Sequence, residues 1–173
     1  MNQELLKTLV VYNSDTGLFF YKPRSVDMFK DERDAKTFNT RWANKQIGTV
    51  DGKGYLHFNY KKKFYLLHRM AWLYVYGELP KIVDHINRNK TDNRITNLRN
   101  TTLRGNNLNR SANKTGRKTS KYKGVSRHTH GKWQAQTKVN GKTKPLGVFD
   151  DELSAYAAYV SFMKKTYGEE FSE

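Results

Sequence analysis

The sequence predicts an α+β fold in two units: N-terminal hairpins leading into a small strand-and-helix unit, then a basic linker, then a three-stranded antiparallel sheet packed on one helix. Three observations carry this expectation. Short aromatic and β-branched runs sit around turn residues, segments of helical spacing follow the strands, and the stretch from Ser111 to Ser120 holds no large apolar residue. A stretch of that kind cannot pack a core and reads as a linker. The 173 residues suit one large domain or two small ones at ~150 residues per domain. The expected boundaries are 1–110, 111–120 and 121–173.

Taken in order, Val10-Val11-Tyr12 and Leu18-Phe19-Phe20-Tyr21 flank the turn residues Asn13 to Gly17 and predict two short strands. Pro23 to Asp34 is polar and charged and reads as a loop. A second hairpin is expected from Gly54 to Phe58 and from Phe64 to Leu67, around the basic turn Asn59 to Lys63. Met70, Ala71, Leu73, Tyr74 and Val75 fit a short buried helix that stops near Gly77 and Pro80. Lys81 to Arg110 is rich in Asn and short of apolar periodicity. After the linker, Tyr122 to Val125, Lys132 to Val139 and Thr143 to Phe149 read as strands, with turns at Thr129-His130-Gly131 and Asn140-Gly141. Asp150 or Asp151 can cap a helix carrying Leu153, Tyr156, Ala157, Val160, Met163 and Tyr167 at spacings of three and four, ending at Gly168.

Composition narrows the function classes. There is no cysteine, which excludes a disulfide scaffold, thiolate zinc sites and cysteine nucleophiles. No apolar run approaches the ~20 residues a membrane span needs. The first residues lack a basic region followed by a long apolar core, so the protein is expected to work where it is made. Lys and Arg number 32 against 16 Asp and Glu, a formal charge of +16. The imbalance is concentrated: the 57 residues from Asn93 to Phe149 hold 14 Lys or Arg and no carboxylate. A merely solvated face would intersperse acids for solubility. Interleaved aromatics therefore point to a nucleic acid partner rather than a membrane surface.

The chemistry is concentrated between Val83 and Arg99. Asp84 stands next to His85 on a short apolar strand, a polar loop follows, Asn97 comes twelve residues after His85, and Asn106 nine after that. Hydrolysing a phosphodiester takes a base for water, a divalent ion for the charge on phosphorus, and groups that fix both. A carboxylate and amide oxygens suit hard Mg²⁺ or Mn²⁺ and argue against zinc. An imidazole with an ordinary pKa of about 6.5 is largely neutral at pH 7 and can accept a proton. Neighbouring residues of a regular strand face opposite sides, so Asp84 and His85 can serve one site only if the strand is bulged or ends there.

Over about residues 45 to 110 the chain resembles the HNH endonuclease family, in particular phage homing endonucleases of the ββα-metal type. The resemblance is carried by Gly54-Tyr55, Leu67-His68-Arg69, Gly77-Glu78-Leu79-Pro80, Val83-Asp84-His85-Ile86-Asn87, Asp92-Asn93-Arg94-Ile95-Thr96-Asn97-Leu98-Arg99 and Asn106-Asn107-Leu108-Asn109. It implies that His85 is the general base, that Asn97 holds the loop against the base and its strand, and that Asp84 and Asn106 bind the metal, with Asn107 the alternative to Asn106. Arg110 stands where other branches carry a further His and suits phosphate better than metal. His68 and Arg69 either hold a phosphate or sit at a strand-to-helix junction for structural reasons. Lys61, Lys62 and Lys63 are expected to track the DNA backbone while the N-terminal hairpins buttress the site.

Residues of about 120 to 170 look like the Apetala/ethylene-response-factor DNA-binding domain, on Ser120 to His128, Gly131-Lys132-Trp133-Gln134-Ala135, Leu146-Gly147-Val148-Phe149 and the helix with Ala155, Ala157-Ala158-Tyr159 and Gly168. Such domains read the major groove with a sheet. By position, Lys123, Ser126, His128, His130, Gln136 and Lys138 match contact positions, and Arg127 is placed for phosphate. Alternation puts Trp133, Ala135, Thr137 and Val139 on one face, expected to meet the helix, and Gln134, Gln136 and Lys138 on the other. Lys114, Arg117 and Lys118 of the linker are expected on phosphates.

The resulting expectation is a site-specific DNA endonuclease of the homing type that depends on Mg²⁺ or Mn²⁺. It would act as a monomer on double-stranded DNA, cutting one or both strands, inside an infected bacterial host. The rival readings are a non-catalytic DNA-binding regulator that keeps the HNH scaffold and a structure-directed or defence nuclease without an extended target.

Overall fold

A computed structural model describes residues 1–109, 120–168 and 171. The chain divides into two compact units, Met1–Thr102 and Leu103–Glu173. The division falls ahead of the expected boundary at 110, and all of the expected linker except Ser120 lies outside the described residues.

The first unit begins with α1 (Gln3–Leu9), capped by the Asn2 side chain, which accepts from the Leu5 amide at 3.0 Å. Two turns are too few to show a periodicity, so the sequence does not announce this helix. β1 (Val10–Tyr12) pairs antiparallel with β2 (Phe19–Tyr21), the hairpin the sequence predicts, and β3 (Gln46–Ile47) adds a third strand beside β2. The expected loop from Pro23 to Asp34 is corrected: a short 3₁₀ turn occupies Val26–Met28 and α2 (Glu32–Trp42) starts inside it, capped by Asp31. Only Ala35 of α2 is buried, so no apolar stripe marks it in the sequence.

β4 (Thr49–Val50), β5 (Leu56–Tyr60) and β6 (Lys63–Leu66) form a second antiparallel sheet. Tyr60 pairs with Lys63, which leaves Lys61 and Lys62 as a two-residue turn with φ of 46° and 60°. Positive φ at both positions gives the turn the twist that a hairpin needs. α3 (Leu67–Tyr76) follows without a break and ends where Gly77 turns left-handed at φ 78°. Leu6, Leu9, Val10, Phe19, Phe58, Leu67, Met70, Ala71 and Leu73 are buried together with Val83 and Leu98 from β7 (Val83–His85) and β8 (Leu98–Asn100). That core fixes the β7–β8 ladder from below.

The second unit carries α4 (Leu103–Asn109), whose Leu108 packs against the core formed by β9 (Val125–Arg127), β10 (Trp133–Val139), β11 (Lys142–Phe149) and α5 (Glu152–Tyr167). The sheet is antiparallel with β10 in the centre, and one helix packs on it, as the sequence predicts. Asn140 and Gly141 make the β10–β11 turn with φ of 50° and 79°. Asp151 caps α5 by accepting from the Ser154 amide at 2.8 Å. Gly124 is required twice over: its φ is 76°, and a Cβ there would lie 2.2 Å from the Tyr159 ring.

Candidate active site and nucleic-acid face

β7 and β8 pair in simple register, Val83 with Asn100, Asp84 with Arg99 and His85 with Leu98. The strand ends at His85 rather than bulging there. Its carbonyl accepts from the Arg88 amide at 3.0 Å, Arg88 sits at φ 63°, and the Ile86 amide donates to the Asn97 carbonyl at 2.9 Å. Burial alternates along it, with Val83 and His85 inward and Asp84 half-buried. Directly across the ladder, Arg99 Nη2 and Nε reach Asp84 Oδ2 at 3.1 and 3.3 Å.

The loop after His85 is held by side-chain amides. Asn97 accepts from the Asn87 amide at 3.0 Å and donates to the Asp92 carbonyl at 2.7 Å, so one buried side chain ties both ends of the loop to the start of β8. Asn87 Nδ2 donates to Asp92 Oδ2 at 2.7 Å, and Asp92 pairs with Arg94 at 2.6 Å. The Arg94 guanidinium, with Asn87 assisting, holds the Asp92 carboxyl down to about 2. Asn89 closes a local turn by accepting from the Thr91 amide at 3.1 Å.

His85 is 4% exposed and its Nε2 lies 3.0 Å from Oδ1 of Asn93, which is 1% exposed. An amide oxygen only accepts, so it calls for the proton on Nε2 and leaves Nδ1 as the basic nitrogen of the neutral ring. Burial pushes the His85 pKa below its ordinary value, against the opposing pull of the Asn93 hydrogen bond and the Asp84 charge. Sequence reading missed Asn93 as a site residue. It stands in an Asn-rich stretch that reads as a turn former, and no spacing singles it out.

The N-terminal hairpin is what fixes Asn93. Tyr12 donates its hydroxyl to the Asn93 carbonyl at 2.7 Å, and the Ile95 amide donates to the Ser14 carbonyl at 3.1 Å. Gly17 allows the approach: a Cβ there would meet the backbone of Asn93 and Arg94 at 2.6 and 2.5 Å.

His68, in the first turn of α3, is 5% exposed. Its ring centroid lies 5.0 Å from that of His85 and 5.1 Å from that of Tyr55. Burial, with the neighbouring His85 and Arg69, lowers its pKa to about 3, and its buried Nδ1 has no hydrogen-bond partner. Of its two sequence readings, this is the packed one. Arg69 donates to the Pro80 and Lys81 carbonyls at 3.1 and 3.3 Å, which anchors the approach to β7. Lys90 donates to the Lys53 carbonyl at 2.7 Å, with its ammonium 4.7 Å from the Tyr55 ring centroid.

Of the expected metal ligands, Asp84 belongs to the first unit, while half-buried Asn106 and exposed Asn107 belong to the second. Among the described residues no three His, Asp or Glu side chains gather around one point. The donors the expectation names are one carboxylate and an amide oxygen, chemistry that fits a hard, partly hydrated Mg²⁺ or Mn²⁺. Arg99 shares that carboxylate.

The other expected DNA contacts divide into three groups. Lys61, Lys62 and Lys63 are exposed at the β5–β6 turn, and Arg110, Lys114, Arg117 and Lys118 lie outside the described residues. In the second unit the pleat puts Ser126, Gln134, Gln136 and Lys138 on the face opposite Val125 and Ala135, which are buried toward α5. Lys123, Ser126, Gln136 and Lys138 line one cavity of about 880 Å³ with Asn107. Lys123 also donates to the Asn107 and Leu108 carbonyls at 2.9 and 2.8 Å, securing the last turn of α4. Arg127 stacks its guanidinium over Trp133, 5.3 Å from the ring centroid, and so stands apart from the Gln134 face. His128 and His130 are exposed in the β9–β10 connection, with His130 at φ 54°. Trp133 is packed against the core, as alternation predicts.

Among the described residues no helix is long and apolar enough to cross a membrane. A model of the HNH endonuclease family matches residues 65–108, from the end of β6 through β7, β8 and α4. The matched span contains His68, Asp84, His85, Asn93, Asn97, Arg99 and Asn106, and it supports a nuclease acting on DNA. No curated protein and no solved structure matches the chain.

Proposed function

We propose that this protein is a site-specific DNA endonuclease of the homing type, dependent on Mg²⁺ or Mn²⁺, in which His85 is the general base. The observation that carries the reading is the buried, neutral imidazole whose Nε2 faces the Asn93 oxygen, inside the span that matches the HNH endonuclease family. His85 Nδ1 takes a proton from water, the water oxygen bonds to phosphorus in line with the 3′ oxygen, and the P–O3′ bond breaks. The 3′ oxygen leaves and takes a proton from solvent. Asn97 holds the loop that shapes this corner, and Asn93 holds the base in its tautomer. Asp84 and Asn106 would hold the divalent ion, which when bound supplies positive charge for the phosphorane and the leaving oxygen.

Recognition is assigned to the second unit, through the face that carries Ser126, Gln134, Gln136 and Lys138, with the basic linker on neighbouring phosphates. The concentration of 12 basic residues without an acid between Leu103 and Phe149 supports this assignment. The pairing of the two family resemblances supports a phage homing enzyme working in the cytoplasm of its bacterial host. The enzyme cuts one or both strands, and a monomer with one such site would most simply nick.

Supercoiled plasmid carrying a selected target tests the reading. Nicking that requires Mg²⁺ or Mn²⁺, stops with EDTA, and is flanked by long protection on one side of the cut is the expected result. Firm binding without cutting under any divalent ion would identify the chain as a DNA-binding regulator instead. A short symmetric footprint would remove the homing assignment.

A further inference from the structure

We infer that Arg99 exchanges its contact with the Asp84 carboxylate for a DNA phosphate oxygen when the cutting complex forms, so that it competes with the divalent ion for Asp84 until DNA arrives. The inference rests on the nuclease reading above and concerns the regulation of that same site. Arg99 and Asp84 stand directly opposite each other on the two-stranded ladder, and their side chains are 16% and 12% exposed, so neither is closed off completely from solvent.

Two arginine–carboxylate pairs flank the loop, and they differ. Arg94 meets Asp92 at 2.6 Å, with a second bond from Nε to Oδ1 at 2.8 Å, and grips both carboxylate oxygens. Arg99 directs Nη2 and Nε at the single oxygen Oδ2 of Asp84, at 3.1 and 3.3 Å. Those lengths exceed the ~2.7–2.9 Å of a tight charge-assisted bond. The Arg94–Asp92 contacts are thus the shorter, and the Arg99–Asp84 contacts the longer and the easier to trade for another oxygen.

Placing a divalent cation on Asp84 puts two positive groups against one carboxylate, and their repulsion disfavours the guanidinium staying. A phosphodiester offers Arg99 two non-bridging oxygens that its planar donor fork can engage together. Departure of Arg99 and entry of the ion are then one coupled event, and DNA favours both.

Mn²⁺ binding to the DNA-free protein, followed by electron paramagnetic resonance, separates these roles from a fixed strut. Removing the competitor in Arg99→Gln is expected to tighten Mn²⁺ binding about fivefold or more. The same variant is expected to cut about 10²-fold more slowly and to lower the salt slope of DNA binding by about one. Arg99→Lys keeps the charge but not the fork, so it should bind Mn²⁺ like the wild type and still cut slowly. If Arg99→Gln does not fold, wild-type cutting by Arg99→Lys overturns the inference. A wild type that cuts while a folded Arg99→Gln binds Mn²⁺ no tighter overturns the role of Arg99 and leaves the nuclease reading standing. A wild type that neither cuts nor binds Mn²⁺ overturns both.

Discussion

Around His85 the side chains of Asn93 and Asn97 are buried and hydrogen-bonded, whereas on β9 and β10 the candidate DNA contacts are exposed or half-buried along the sheet. His85, Asn93 and Asn97 use the N-terminal hairpin, the loop and β8 to fix one another. Ser126, Gln134, Gln136 and Lys138 are aligned only by the pleat of the strands that carry them. The contrast matches two different demands. Proton transfer requires a ring held within a few tenths of an ångström, while phosphates and base edges tolerate side chains that become ordered on the ligand.

The comparison can be broken at its structural base. Gly124→Ala forces a Cβ into the Tyr159 ring at a left-handed backbone position, and is expected to cost the second unit about 3 kcal/mol. Thermal unfolding followed by DNA binding should then show weakened target affinity with the first unit still folded. Asn93→Ala removes a buried partner from both the base and its tautomer control. It is expected to lower stability by about 2 kcal/mol and to slow cutting while DNA affinity holds; an unchanged cutting rate would show that His85 does not need this contact.

Acid provides a third probe. His68 stays neutral in the folded protein down to about 3, whereas its unfolded form takes a proton near 6.5. Its stabilising contribution is therefore complete above 6.5 and declines as pH falls from there toward 3, by about 1.4 kcal/mol per unit. Chemical denaturation across that range should show the decline in wild type and a shallower one in His68→Phe. The smallest effect is in the salt dependence of DNA binding: if half of the 14 cations between Asn93 and Phe149 engage phosphates, the log–log slope is about −6, and Lys138→Ala on β10 should reduce it by about one.

How much of this was legible beforehand follows from what each feature rests on. In the second unit β10, β11 and α5 were readable, because Asn140-Gly141, the alternation of β10 and the Asp151 cap are local signals, whereas α4 was not expected and the first strand is Val125–Arg127 rather than Tyr122 to Val125. Asp84, His85 and Asn97 were singled out by the resemblance to the HNH endonuclease family. Asn93 was not, since its role depends on Tyr12 and Gly17, some 80 residues away in the chain. The Arg99–Asp84 pair likewise appears only once the ladder register brings the two side chains opposite each other. α1 and α2 escaped because one is two turns long and the other buries a single residue.

Single-turnover cleavage by His85→Ala, with DNA affinity measured on the same preparation, tests the central assignment most directly. Loss of about 10²–10⁴ in rate at unchanged affinity is the predicted result. Cutting by this variant at the wild-type rate would contradict the assignment of His85 as the base.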